Sequence, residues 1–469
     1  MKNPFPTLRT ITAFGATIGF LTTGFSQDEE KKPVLTLIQN VKIFDGHSEK
    51  LAAGSVLIEN HLIKKIGTDL KAPEGATVID GKGGTLMPGL IDMHSHLVIH
   101  EGMLDGRDNL DQMAIGAIAV EKMRDYLDQG FTTARDAGGN TLGLAKAVRE
   151  GRIPGPRIYP SGGFMSQVGG HADTGRWNDN IGDTDMLEKH EFGYIVSGRA
   201  QMLEAARHNL RAGATQIKIM GGGGVASEFD PLHMTQFTLD EMKAAVEVAE
   251  DYGTYCLVHA YHDRSVNRAI DAGVKCIEHN FLVSEETIIR MKEENIVLSV
   301  QGVISLEAFA DPDSITFFSA DQKAKAKKVN SGASQMLKWA LEHDIMMVTG
   351  GDMFDKANAN RQVVNMIVLK TVGYPDAKIL EMGTGDAAKV IAMCGDMNPY
   401  KDGPIGVIEE GAYADILVVN GDPTKELEVL KDRDNLQFIM KNGDVWKNTL
   451  VPATHPEHTP ATGRHTPGL

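Results

Sequence analysis

From residue 34 the chain alternates apolar and polar positions in short runs: LTLIQNVKIFDG, GSVLIENHLIKKIG and ATVIDGKGGTLMPG, each closed by Gly, Asn or Asp. Period-two alternation bounded by turn formers predicts strands with one buried face. At Met87 the rhythm changes, and short apolar runs begin to alternate with helical stretches. TTARDAGG leads into a Leu/Ala-rich stretch and RIYPSGG follows. QIKIMGGGG precedes the amphipathic LDEMKAAVEVAEDYG, YCLVHAY precedes RSVNRAIDAG, and KCIEHN precedes SEETIIRMKEEN. IVLSVQG and IMMVTGGD complete the set, which with MPGLIDMHSH gives eight apolar runs between Met87 and Asp352. Strand–helix alternation predicts an α/β fold with a parallel sheet. Eight such units in this length predict a (β/α)8 TIM barrel, with a doubly wound open sheet as the alternative. The GGGG run after Met220 lacks the spacing of a dinucleotide fingerprint and the Lys-Ser/Thr of a P-loop. After Gly403 strands return without helices, in GVIEEGAYADILVVNGDP and LQFIMKNGDVWKN. The expected division is a barrel over 87–402 and a small β-sandwich built from 34–86 and 403–450.

The first residues follow another pattern. Lys2 and Arg9 precede the apolar ITAFGATIGFL, no acid appears before Asp28, and the small residues Gly24 and Ser26 follow. This predicts a signal peptide over 1–26 and a linker over 27–33, hence a periplasmic or secreted protein; an ordinary N-terminal helix is the alternative. The run is shorter than the ~20 residues of a membrane span, so an integral membrane protein is not expected. Residues 451–469, rich in Pro, Thr and His, predict a disordered tail whose His455, His458 and His465 have no packed element to hold them around a metal.

Composition narrows the function. Lys plus Arg number 47 against 63 Asp plus Glu, a net charge of −16, which argues against nucleic acid as a partner. Three cysteines exclude a disulfide scaffold. Cys256 and Cys276 lie inside apolar runs and read as buried, inert thiols.

Barrel enzymes carry their chemistry at the C-terminal ends of the strands. The first predicted strand ends in Asp92-Met93-His94-Ser95-His96, and residues two apart in a strand project to the same side. The fourth holds Lys218 among apolar neighbours, either in a buried ion pair, as a snorkelling side chain, or as an amine converted by CO2 to a carbamate with two ligand oxygens. The fifth and sixth reach His259 and His279, and the eighth runs into Asp352. His and Asp suit zinc and similar ions, and a bridging oxyanion suits a pair of them. Two such ions about 3.5–4 Å apart activate a shared water, and a nearby carboxylate moves its proton. Asp136 fits a supporting hydrogen bond rather than a metal ligand. Tyr261, two residues beyond His259, can donate to an oxyanion or carboxylate. His171 lies in the Gly-rich loop QVGGHADT, and Arg264 is a candidate partner for a substrate carboxylate or a solvated first-turn residue.

GLIDMHSHL, TTARDAGG, QIKIMGGGG, HAY, EHN and TGGD together resemble the amidohydrolase superfamily, in particular its imidazolonepropionase-like branch. That branch includes Xaa-Pro dipeptidases, arginine or lysine carboxypeptidases and ochratoxin-hydrolysing amidases. The resemblance runs from about Val34 to Lys447. It implies that His94 and His96 bind one metal, Lys218 bridges as N6-carboxylysine, His259 and His279 bind the other, and Asp352 is ligand and general base. By the same resemblance to the related peptidases, His171 and Tyr261 are similar to a loop His and a Tyr that look like carbonyl- and carboxylate-binding groups. The deaminases of the superfamily use one metal and no bridging Lys, so Lys218 favours a binuclear hydrolase. The expected function is an exported amidohydrolase with two divalent ions, zinc first, cleaving a dipeptide or N-acyl amino acid that bears a free carboxylate. A homo-oligomer is expected by the same resemblance. A cyclic-amide or lactone hydrolase is the alternative enzyme, and an inactive barrel scaffold the alternative outside catalysis.

Overall fold

A computed structural model describes residues 32–100, 111–307, 310–316, 318–354 and 362–450. The expected signal peptide, nearly all of the linker and the expected C-terminal tail lie outside these residues. No helix among the described residues is long and apolar enough to cross a membrane.

The alternating first segment forms β1 (Leu35–Ile43), β2 (Ala52–Glu59), β3 (Leu62–Gly67), β4 (Thr77–Asp80) and β5 (Thr85–Pro88). In β1 the buried positions Leu37, Ile38, Val41 and Ile43 are the apolar ones of the pattern. β1 pairs antiparallel with β2 and parallel with β4 and β5.

The middle of the chain supplies β6 (Leu90–Ser95), β7 (Phe131–Asp136), β8 (Arg157–Pro160), β9 (Phe164–Ser166) and β10 (Gly193–Ile195). It continues with β11 (Ile217–Met220), β12 (Cys256–His262), β13 (Cys276–Leu282), β14 (Val297–Val300) and β15 (Met347–Thr349). β6, β7 and β8 form one parallel sheet, and a second runs β10-β9-β11-β12-β13-β14-β15. Every pairing within the two is parallel. Hydrogen bonds cross between them at both ends: Thr215 N donates to Pro160 O at 2.8 Å, and Asp352 N donates to His94 O at 2.7 Å. Each of the eight apolar runs read from the sequence is one of these strands. β9 and β10 were not foreseen, because three residues are too few to display a period.

Helices separate most successive parallel strands, for the reasons their sequences give. Leu239–Asp251 starts at a capping box, in which Thr238 and Glu241 satisfy each other's backbone N–H groups. It buries Met242, Ala245, Val246 and Ala249, a stripe at helical spacing. Asp263–Ala272 buries Val266, Ala269 and Ile270 and stops at Gly273 in the left-handed conformation.

The last strands, β16 (Ile416–Val419), β17 (Leu436–Lys441) and β18 (Asp444–Asn448), return to the first sheet. β16 lies antiparallel to β5 with Val418 opposite Leu86. Both halves therefore make one eight-stranded sheet, ordered β18-β17-β16-β5-β1-β2-β3 with β4 on β1. Its own core includes Ile38, Val56, Ile79, Leu86, Val418 and Phe438. Arg157 of β8 fastens it to the parallel strands. The guanidinium donates to Asp415 at 2.8 and 3.3 Å and to Asn442 at 2.7 Å, and lies 3.8 Å from the Tyr413 ring centroid.

Candidate active site

The C-terminal ends of the parallel strands bring the predicted ligands together. His94 is the fifth residue of β6, His96 follows the strand directly, and Asp352 lies three residues past β15. His96 Nε2 is 3.2 Å and His94 Nε2 3.6 Å from Asp352 Oδ1. The His94 ring centroid is 5.1 Å from that of His96 and 5.0 Å from that of His279. His259 and His279, on adjacent strands, lie 4.5 Å apart by the same measure. Lys218 stands on β11, whose register puts Met220 beside His259. It is buried, and its charge acts on His94, His259 and His279.

The backbone is bent to achieve this. His279, Asn280 and Asp352 have φ of +76°, +63° and +53°. Such conformations are uncommon outside Gly, and non-Gly examples cluster where a side chain must be re-aimed. The departure from regular strand geometry lets Glu278 and His279, neighbours on β13, both approach His94.

Electrostatics keeps the donors in the forms that bind cations. Burial, aided by the Lys218 ammonium, pulls the His94 imidazole down to about 4. Burial lowers His259 and His279 well below the ordinary histidine value, so all three rings are neutral near pH 7. Burial opposes ionisation of Asp352, yet His94, His96 and His279 hold its carboxyl well below the usual carboxylate range. One atom each of His94, His279 and Asp352 lies within 4.8 Å of the other two. His279 Nδ1 is buried without a hydrogen-bond partner among the described residues. Neutral imidazoles, an ionised carboxylate and an orphaned ring nitrogen fit a divalent cation.

The support of these ligands was mostly not read from sequence. Glu278 is fully buried; its Oε2 lies 2.6 Å from His94 Nδ1, and its Oε1 accepts from Arg135 Nη2 at 2.6 Å. Burial works against its charge, but Arg135 and His94 hold its carboxyl far below the ordinary range. With Nδ1–H donated to Glu278, His94 keeps Nε2 free for a cation. Asp92 accepts from His94 N at 3.0 Å, Gly351 N at 2.9 Å and the Tyr126 hydroxyl at 2.8 Å. Asp136, pushed up to about 6 by burial, accepts from Leu97 N at 3.0 Å and Gly138 N at 3.2 Å, which fixes the turn after His96. The EHN segment carried the only sequence signal for Glu278: a carboxylate adjoining a ligand.

On the open side, the His171 ring stacks on His259 at 4.1 Å. Its Nδ1 is 3.0 Å from Asp230 and 2.5 Å from Ser227 Oγ. The Gly run after β11 now has a reason: a Cβ on Gly224 would sit 2.1 Å from His171 Cε1. The Tyr261 ring lies 4.9 Å from His259 and 5.4 Å from His279, and burial raises its phenol above the ordinary value, so it stays protonated. Arg264 is not brought to this cluster. It is exposed on the first turn of Asp263–Ala272, the solvated position left open in the sequence reading. Cys256, Cys276 and Cys394 are buried and unpaired.

The family profile of the amidohydrolases matches residues 85–446, and so spans the parallel strands together with β5, β16, β17 and part of β18 of the mixed sheet. The chain belongs to the amidohydrolase family. This amidohydrolase is 24% identical to the ochratoxinase of Aspergillus niger over 442 residues, 90% of this chain and 88% of that one. Its structure matches that of a solved amidohydrolase with a TM-score of 0.82 at 31% identity, covering 89% of this chain and all of the other. It matches a prolidase complexed with N-methylphosphonate-L-proline with a TM-score of 0.81 at 29% identity, covering 88% and 100%. A Xaa-Pro dipeptidase with bound methionine gives 0.77 at 27%, with the same coverage. These relatives support a hydrolase acting on amide bonds.

Proposed function

We propose that this chain is an exported amidohydrolase that holds two divalent ions, zinc first, and cleaves the amide of a dipeptide or N-acyl amino acid with a free carboxylate on the leaving side. The observation that carries the reading is the convergence of neutral His94, His259 and His279, from β6, β12 and β13, with ionised Asp352, which follows β15. We take the two parallel sheets to close into the (β/α)8 barrel, which the hydrogen bonds at Pro160 and His94 support. His94 and His96 would hold one ion and His259 and His279 the other, with a carboxylated Lys218 as the bridging group and Asp352 as a further ligand. Burial pulls the Lys218 amine down to about 8, so a sizeable neutral fraction is available. Its nitrogen bonds to the carbon of CO2 and gives up one proton.

When bound, the ions polarise the scissile carbonyl and lower the pKa of water. Asp352, ionised, accepts a proton from the attacking water and returns it to the leaving nitrogen. Tyr261 donates its hydroxyl hydrogen to the oxygen that gains charge. His171, held at Nδ1 by Asp230, has Nε2 left for substrate carbonyl or carboxylate. The amino-acid portions of the ligands in the prolidase and the Xaa-Pro dipeptidase suit such a substrate, as does the ochratoxinase relationship for bulkier N-acyl groups.

The test is turnover of a dipeptide and N-acyl amino acid library, with ochratoxin-type amides, by zinc-loaded protein. Cleavage of linear amides with a terminal carboxylate is expected. Turnover confined to cyclic amides or lactones would replace the substrate assignment, and a metal-replete protein inert on all of them would remove it. Export is checked by the N-terminus of the mature protein, and the homo-oligomer by sedimentation.

A further inference from the structure

The helix Gln112–Asp128 buries Ile115, Ala119, Lys122 and Tyr126 along one face. A lysine in that stripe is out of place. Burying an ammonium is costly unless its donors are met. Here they are met by the backbone around the metal ligands. Lys122 Nζ donates to the carbonyl of His96 at 2.8 Å, of Met353 at 2.8 Å and of Phe354 at 2.9 Å, with Ile99 O at 3.4 Å. An ammonium has three N–H bonds, and three close acceptors satisfy them. One turn further on, Tyr126 donates to Asp92, which receives the backbone N–H groups of His94 and Gly351. The helix thus grips the segment after β6 and the segment after β15 at two points. Burial raises the carboxyls of Asp92 and Asp136, which brace the same turns, and the Lys122 charge opposes that rise.

We propose that Lys122 is a positioning residue for the cation site. By fixing the carbonyl of His96 and the two that follow Asp352, it sets the 3.2 Å approach of His96 Nε2 to Asp352 Oδ1 before any ion arrives. The inference rests on the metal-site reading above. It assigns no contact between Lys122 and substrate.

The experiment compares full-length wild type with Lys122→Met, which keeps the length of the side chain and removes charge and donors. Three readouts are taken: ions per folded chain, the visible spectrum of the cobalt-substituted protein, and the rate of ion loss to a chelator. The expected result is ion affinity weaker by about 10–100-fold, faster release and a changed cobalt spectrum. Lys122→Gln, which retains donors, is the second variant should Lys122→Met not fold, and is expected to shift release and spectrum in the same direction. A lower melting temperature with unchanged ion content, spectrum and release rate in the folded variant would mean a packing role and overturn the proposal. If the wild type itself retains no ion, the functional reading falls and this inference with it.

Discussion

Asp352 is the side chain on which the proposed chemistry turns. It is ionised because the imidazoles around it outweigh the cost of burial. Asp352→Asn keeps the size of the side chain and removes the basicity. Its kcat is expected to fall by about 10²–10⁴, with folding preserved, as checked by steady-state kinetics beside circular dichroism. The imidazoles also make the metal-free protein sensitive to acid. His94 is pulled to about 4 in the folded state from the ordinary 6.5, so below pH 6.5 the unfolded chain binds more protons and stability falls as pH falls. The contribution present above pH 6.5 is about 3 kcal/mol for this residue at 1.36 kcal/mol per unit, lost progressively between pH 6.5 and 4. Thermal melts of chelated protein across that range check it, and zinc is expected to blunt the loss. Glu278 shows why such supports escape a sequence reading. Nothing in EHN says that the acid will face Arg135, because the two are 143 residues apart and meet only after β7 and β13 are placed.

At the level of strands and loops, the strand–helix alternation was legible because each apolar run is short and each helix has its stripe. The candidate ligand residues were legible because they sit in or just after the apolar runs in recognisable tripeptides. What was not legible is what the loops do between them. The Gly-rich turn after β11 fits no nucleotide fingerprint, and its Gly224 is where the chain makes room for the His171 ring. Gly224→Ala is expected to displace that ring and lower kcat/KM by about tenfold or more, with little effect on the melting temperature, since positioning errors near a reacting centre are costly. Arg264 illustrates the opposite error: a cation three residues past the Tyr of HAY belongs to the first turn of a helix and faces solvent. The joint between the two sheets is a further element-scale prediction. Arg157→Met would leave Asp415 buried beside the Tyr413 ring without its cation. Breaking a buried pair in this way costs about 3–5 kcal/mol, to be measured by urea unfolding.

For the molecule as a whole, the change of rhythm at Met87 and Gly403 marks where the strands of the mixed sheet give way to parallel strands and where they return. The exchange of a single strand pair, β5 with β16, confirms that its two ends share a sheet. The turn between sheets falls at Gly89, whose missing Cβ leaves 2.0 Å to Thr132 Oγ1 and whose N–H is taken by Asp415 O. A bound ion is expected to stabilise this whole unit, because ligands from β6 to β15 must be native to hold it. At a free zinc concentration 100 times the dissociation constant the gain is about 2.7 kcal/mol, visible as a drop in melting temperature when the ion is chelated. The same sheet has a consequence for biogenesis. A nascent chain exposes β1–β5 first, and the partner that covers β5 appears more than 300 residues later, at β16. Until then the newborn protein carries an uncapped, sticky border. A helper that shields this border, or a delay in docking, is the cost of stitching both arms into one seam.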